Sequence, residues 1–157
     1  MKKLLSILTA LAFVIVMTAC SGGSDDAAQA AEQAVSDDGQ NPVVNYIGNY
    51  VCDRATVTIL AKGDSEASVV VDWGNSYDST TQWTMSGPFN ADELTIEYHD
   101  CEKVVYQYAE NGDELNREEV FTGGHGFIKF IEGDPLSLTW QEDQEHAADD
   151  MTFIFVN

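Results

Sequence analysis

The feature that most constrains the fold is an alternation of apolar and polar residues that begins near Val43 and continues almost to the end of the chain. In residues 94–98 (LTIEY) and 136–140 (LSLTW), for example, an apolar side chain occupies every second position. Because successive side chains of a strand point to opposite faces, this pattern is typical of antiparallel strands with one buried and one solvated face. No segment sustains a helical period, so the sequence predicts an all-β domain over residues 43–157.

Short groups of turn-forming residues separate the apolar runs, and one of them, Asn111-Gly112, fits a tight hairpin. The predicted strands are residues 46–52, 54–61, 66–73, 80–86, 93–98, 102–109, 116–122, 126–131, 136–141 and 151–156. So many short sequential strands leave exposed edges unless the sheet closes on itself. The sequence therefore predicts a small antiparallel up-and-down barrel of about 8–10 strands, with a two-sheet β-sandwich as the alternative.

The first twenty residues (MKKLLSILTALAFVIVMTAC) have the layout of a secretory signal, with two lysines, a short apolar run and small residues before Cys20. The apolar run is shorter than the roughly 18–20 residues that a membrane-spanning helix needs. At Cys20 the segment resembles the lipobox of bacterial lipoproteins, in which the cysteine is lipidated and becomes the first residue of the mature protein. The resemblance implies a signal peptide over residues 1–19 and an extracytoplasmic protein anchored to the cell membrane or outer membrane. An ordinary signal peptide with a chance cysteine is the alternative.

Residues 20–42 consist mainly of Ser, Gly, Asp, Ala and Gln and contain no aromatic residue. Such a segment buries too little apolar surface to offset the entropy of ordering it, so a disordered linker is predicted between Cys20 and the domain.

The chain is strongly acidic. Without Lys2 and Lys3, five basic residues stand against 27 acidic ones, a net charge of −22. A surface of this charge repels nucleic acid, which is excluded as a partner, and favours cations or a basic protein. The alternative is that the charge only keeps the protein soluble.

Cys52 and Cys101 remain if Cys20 carries lipid, and an even number of cysteines outside the cytoplasm is compatible with a disulfide. The prediction is a Cys52–Cys101 bond, and two free, half-buried thiols are the alternative.

Gly48-Asn49-Tyr50 resembles the Gly-x-aromatic motif at the start of lipocalin-like barrels, and residues 46–156 resemble small lipocalin-like domains of bacterial lipoproteins. The resemblance implies a barrel but no particular activity. Four aromatic residues fall on the apolar faces of their predicted strands: Trp73, Trp83, Trp140 and Tyr98. A barrel of this size is either filled by such side chains or holds one small apolar ligand, which they would line.

No group of residues supports a reaction, a cofactor or a metal, so catalytic residues, cofactors and metal ligands are all predicted to be absent. His99-Asp100-Cys101 places His99 and Cys101 two positions apart, on one face of a regular strand, but a loop histidine and a structural cysteine are the favoured interpretation. Zinc-ligand and EF-hand spacings do not occur. The acidic stretch 140–146 (WQEDQEH) is interpreted as a polar loop at one end of the barrel.

The sequence thus predicts a non-enzymatic lipoprotein with a binding or envelope-structural role. The alternative is an inhibitor of a cationic secreted enzyme such as a lysozyme. Periplasmic lysozyme-inhibitor lipoproteins carry a Ser-Gly-x-x-Tyr loop, and residues 86–90 (SGPFN) resemble it with the aromatic residue one place early.

Overall fold

Eight antiparallel strands form a closed barrel in the computed structural model, which describes residues 41–156. A short 3-10 helix, Pro42–Tyr46, precedes them. The strands are β1 Gly48–Cys52, β2 Ala55–Lys62, β3 Glu66–Ser76, β4 Ser79–Asn90, β5 Thr95–Tyr108, β6 Glu114–Ile131, β7 Ser137–Glu142 and β8 Phe153–Val156. Each strand pairs with the next, and β8 pairs with β1, so the predicted up-and-down barrel is confirmed and the sandwich is not formed.

The predicted signal peptide, Cys20 and nearly all of the predicted linker lie outside the described residues. Within residues 41–156, no helix combines the length and apolar character that crossing a membrane requires.

Two pairs of predicted strands are each one continuous strand. The predicted strands 93–98 and 102–109 both fall in β5, apart from residues 93, 94 and 109, and residues 116–122 and 126–131 belong to β6. The β5–β6 pairing shifts register near Cys101, and Gly123 has a positive φ of 74°. Bulges of this kind accommodate an extra residue without ending the strand, so the residues that resembled turns bend β5 and β6 and leave them paired.

Gly87-Pro88, which resembled a turn, lies inside β4. A Cβ atom at Gly87 would lie 1.9 Å from the carbonyl oxygen of Glu97 on β5, so only glycine fits there. The direct pairing of β4 with β5 is interrupted between Thr84 and Phe89. Asp100 bridges this gap. Its carboxylate accepts one hydrogen bond from the backbone N–H of Ser86 at 2.9 Å and another from the side-chain hydroxyl of Ser86 at 2.8 Å.

The barrel interior contains the residues that the alternation assigned to the buried face. Ile59, Ile96, Ile128 and Leu138 are fully buried there, together with aromatic residues from six strands. The two ends are covered differently. The 3-10 helix covers one end, where Asn41 donates to the backbone carbonyls of Gly63 and Glu66; the segment that joins β7 to β8 packs against the core at the other.

Candidate functional site

The four aromatic residues proposed to line a ligand site do meet inside the barrel. The rings of Trp83 and Trp140 are 5.3 Å apart, and those of Trp73 and Trp83 are 6.3 Å apart. The indole N–H of Trp140 donates to the hydroxyl of Tyr98 at 2.8 Å, and that hydroxyl donates to the carbonyl of Gln141 at 3.2 Å. Burial raises the pKa of Tyr98. These contacts are those of a core, as expected when eight strands enclose little more than their own side chains.

Trp83 differs from its neighbours in one respect. Its Nε1 is buried and has no hydrogen-bond partner among the described residues. The ammonium group of Lys103 lies 5.0 Å from the centre of its ring and pairs with Glu145 in the β7–β8 segment. The NMR signal of the Trp83 indole N–H should therefore shift if a ligand enters this end of the barrel.

The predicted Cys52–Cys101 disulfide is not formed, and both thiols are free. Cys52 lies on β1 and Cys101 on β5, with three strands between them in either direction around the ring. A disulfide requires Cα atoms within about 7 Å, whereas strands are about 4.8 Å apart, so positions four strands apart are too distant. Burial, reinforced by nearby Glu142 and Asp100, raises the pKa of the Cys101 thiol to about 12.

The bulge in β5 separates the three residues of His99-Asp100-Cys101. Tyr98 pairs with Gly126 and Cys101 pairs with Gly124, so two residues of β5 oppose the single residue His125. As a result His99 is exposed and Cys101 is buried, so the two do not share one face as they would in a regular strand. His99 lies within β5, so its interpretation as a loop residue is wrong. The same bulge brings His99 beside His125 on the outer surface, where their ring centres are 5.2 Å apart.

Each histidine of the described chain lies near a carboxylate. His99 Nε2 is 3.7 Å from Glu97, His125 Nδ1 is 3.3 Å from Asp143, and His146 Nδ1 is 3.0 Å from Asp149. The Asp143 carboxylate also accepts the backbone N–H of His125 at 2.9 Å, and this hydrogen bond lowers the pKa of Asp143. This hydrogen bond to the backbone of His125 thus holds the Asp143 carboxylate beside the histidine.

These groups line a shallow groove on the outside of the barrel, which we call the histidine groove. Its main part, of about 510 Å³, is lined by Glu93, Thr95, Glu97, His99, His125, Gly126, Phe127 and Lys129. A second part, of about 270 Å³, lies beyond Phe127 and is lined by Gly126, Phe127, Gln141, Glu142, Asp143, His146 and Asp149. Phe127 borders both parts and is 37% exposed, which makes it an apolar contact point between acidic walls.

The acidic stretch 140–146 has a structural role at this end of the barrel. Glu142 is 4% exposed, and its carboxylate accepts hydrogen bonds from the backbone N–H groups of Gln144, Glu145 and Ala147. Buried Ala148 follows in the same segment and packs on the core. The interpretation of this stretch as a polar loop at a barrel end is confirmed for residues 143–146 and is wrong for residues 140–142, which belong to β7 and include the fully buried Trp140. The sequence also did not reveal that Glu142 itself organises the loop.

The loop proposed to resemble a lysozyme-inhibitor motif is not a loop. Residues 86–90 lie within β4, and Phe89 is 7% exposed and packs in the core against Phe130. An aromatic side chain in this position cannot be inserted into another protein, so the motif does not support inhibition.

Within residues 41–156, no group of three His, Cys, Asp or Glu side chains has a geometry that could hold a metal ion. The histidine groove is suited to hydrogen bonding and to attraction of positive charge. The sequence analysis missed it, because its histidines are far apart in the chain and only the β5 bulge and the β5–β6–β7 pairing bring them together.

The fold defines the class of the domain, an eight-stranded up-and-down β-barrel with a packed interior and a groove on its outer face. Comparisons with protein-family models, with curated proteins and with solved structures found no match.

Proposed function

We propose that this chain is a non-enzymatic binding module, anchored by lipid at Cys20 on the extracytoplasmic side of a bacterial membrane, and that the histidine groove binds a cationic ligand or a basic segment of a protein. The observation that carries the proposal is the exposed Phe127, which borders both parts of the groove: Glu97 lines the part of about 510 Å³, and Asp143 lines the part of about 270 Å³. Its main part falls within the roughly 300–1,000 Å³ that is typical of ligand sites, and its lining combines one apolar contact point with several polar groups.

The charge of the groove indicates the ligand's chemistry. Glu93, Glu97, Asp143 and Asp149 contribute carboxylates. Among the described residues, Lys129 is the one lysine or arginine that lines it, and its ammonium group donates to the backbone carbonyl of Glu93 at 2.9 Å. An aromatic face at Phe127 attracts cations in addition to apolar groups. An amine or guanidinium with an attached ring or alkyl chain matches both features.

The interior is the less favoured binding site, because Trp73, Trp83, Trp140 and Tyr98 occupy it with contacts to one another. The barrel then serves as a rigid support, and binding takes place on its wall.

Two probes that share a ring and differ in charge test the groove. Tryptamine and indole-3-acetate are titrated into the ¹⁵N-labelled protein, and amide shifts are followed by NMR. We expect tryptamine to shift Glu97, Phe127 and Asp143 and indole-3-acetate to leave them unchanged. Phe127→Ala should weaken tryptamine binding about fivefold or more. Ile154→Ala, at a similarly exposed apolar residue on β8, is the matched control and should not weaken it.

Three results would contradict the binding proposal: equal shifts with both probes, equal losses in both variants, or a shift of the Trp83 indole N–H without shifts in the groove. The last would place the ligand inside the barrel. The anchor is tested separately by Cys20→Ser, which should transfer the protein from the membrane fraction to the soluble extracytoplasmic fraction. If Cys20→Ser stays with the membrane, the lipid anchor is wrong.

A further inference from the structure

The two sides of β6 are paired unequally. On one side, β5 pairs with it from Lys129 to Glu114. On the other side, β7 pairs only with residues 126–131, and the backbone N–H of Asp143 adds one bond to the carbonyl of His125. Within residues 41–156, no strand pairs with the β7 side of residues 114–120. We call these seven residues (ELNREEV) the free edge.

The free edge is solvent-exposed along its whole length. Each of residues 114–120 is exposed, and Leu115 and Val120 are 68% and 46% exposed. In an antiparallel pair, every second residue directs both its N–H and its C=O to the same neighbour. About half of the residues of the free edge therefore direct an unused donor and acceptor to solvent, and such an edge is a template for an additional strand.

The charge of the free edge selects the kind of strand that it accepts. Glu114, Glu118 and Glu119 form no salt bridge among the described residues. Arg117, the one basic residue of the edge, pairs with Glu102 on the adjacent strand β5 at 2.6 Å. The side open to a partner is therefore acidic.

A second copy of the chain is a poor occupant, because residues 114–120 carry three glutamates and one arginine, a net charge of −2, and pairing two such edges brings like charges together, which destabilises a strand pair. An extended segment with lysine or arginine at alternating positions satisfies both the unpaired backbone groups and the carboxylates. We propose that the free edge of β6 is a docking strand, which adds an extended basic segment of a partner protein to the barrel sheet.

This mode of recognition combines two contributions. Backbone hydrogen bonds between the added strand and β6 supply affinity that does not depend on sequence, and the alternating side chains supply specificity. The site is separate from the histidine groove, so its failure in the experiment below would leave the binding proposed there untouched.

Three peptide probes of eight residues test the proposal on the full-length protein: alternating Lys-Val, Glu-Val and Lys-Pro. The Lys-Pro peptide has the charge of the first but lacks half of its backbone N–H groups, because proline has none. We expect the Lys-Val peptide to bind at least about tenfold more tightly than either of the others. Hydrogen exchange should show new protection of the amides in residues 114–120 in its complex.

Two double variants complete the test. Glu118→Lys with Glu119→Lys reverses the charge of the free edge at exposed positions, and should weaken Lys-Val binding about tenfold and strengthen Glu-Val binding. Asp64→Lys with Asp92→Lys makes the same change in charge at exposed turns of the opposite barrel end, and should leave binding within about twofold.

Equal binding of Lys-Val and Lys-Pro would overturn the proposal, since it would show attraction by charge without strand pairing. Equal losses in the two double variants, or protection outside residues 114–120, would do the same. If the free protein forms a dimer in which these amides are protected, the occupant is a second copy and the proposal is wrong.

Discussion

The two halves of β6 are made by the same strand yet differ in nearly every physical respect. Residues 126–131 pair with β7, residues 126–129 also pair with β5, and Ile128 and Phe130 are buried in the barrel. Residues 114–120 pair on one side, and all of them are exposed. The comparison shows that extended backbone alone does not define the barrel. What separates the halves is the length of β7, which has only six residues and ends opposite Gly126.

The largest effect expected from this difference is on stability. Ile128→Ala removes a fully buried side chain and should lower the free energy of unfolding by about 2–5 kcal/mol. Leu115→Ala is the matched change in the exposed half and should alter it by no more than about 0.5 kcal/mol. Urea unfolding of both variants measures the two values. Similar losses would show that residues 114–120 are as much a part of the packed domain as residues 126–131.

Two glycines of β6 sharpen the comparison. A Cβ atom at Gly126 would lie 2.2 Å from the carbonyl oxygen of Gln141 and 2.4 Å from the Tyr98 hydroxyl, so Gly126→Ala should cost at least about 2 kcal/mol. Gly123 has open space around it but a positive φ of 74°, so Gly123→Ala should cost only about 1 kcal/mol. Urea unfolding gives the order of the two losses. A larger loss for Gly123→Ala would show that the backbone conformation at Gly123 matters more to stability than the close packing at Gly126.

Cys101 pairs with Gly124, at the boundary between the two halves, and tests how far the packed core extends. Because burial raises the pKa of its thiol to about 12, little reactive thiolate forms at pH 8. We expect iodoacetamide to modify half-buried Cys52 about 100-fold faster than Cys101 in the native protein. Mass spectrometry of the digested protein follows both sites. Comparable rates in the native state, with equal rates in urea as the control, would show that the core is open at this boundary.

The smallest effect concerns Asp143, which lies where β7 ends and the β7–β8 segment begins. The backbone N–H of His125 lowers the pKa of Asp143 in the folded state. A group with a lowered folded pKa stabilises the fold above its unfolded pKa, and this contribution is lost as the pH falls through the folded value. Asp143→Asn should therefore be less stable than the native protein at pH 6, and the difference should shrink toward pH 2. A difference that is constant with pH would assign the effect to packing.

Much of the fold follows from the alternation of residues. It predicted the all-β class, the closed barrel and the inward placement of Trp83 and Trp140, because each depends only on which side of a strand a residue occupies. It failed at three places where residues resembled turns: near Gly87, near Asp100 and near Gly123. Turns and bulges use the same residue types, and only the pairing partner distinguishes them.

The candidate sites were less accessible from the sequence. The interior aromatic residues were identified, but they form a core. The predicted Cys52–Cys101 disulfide is wrong because β1 and β5 lie on opposite sides of the ring, which the sequence did not show. His99 and His125 are 26 positions apart, and their contact depends on one bulge in β5. The free edge of β6 likewise depends on where another strand ends.

The sequence by itself determined the faces of the strands, since burying alternate apolar side chains is a local property of each segment and contributes the largest share of the folding free energy. The tertiary structure alone decided which strands are neighbours, how far each pairing extends and which outer side chains meet. These depend on contacts between residues distant in the chain. Both the histidine groove and the free edge arise from such contacts, at positions where the barrel pairing bends or stops.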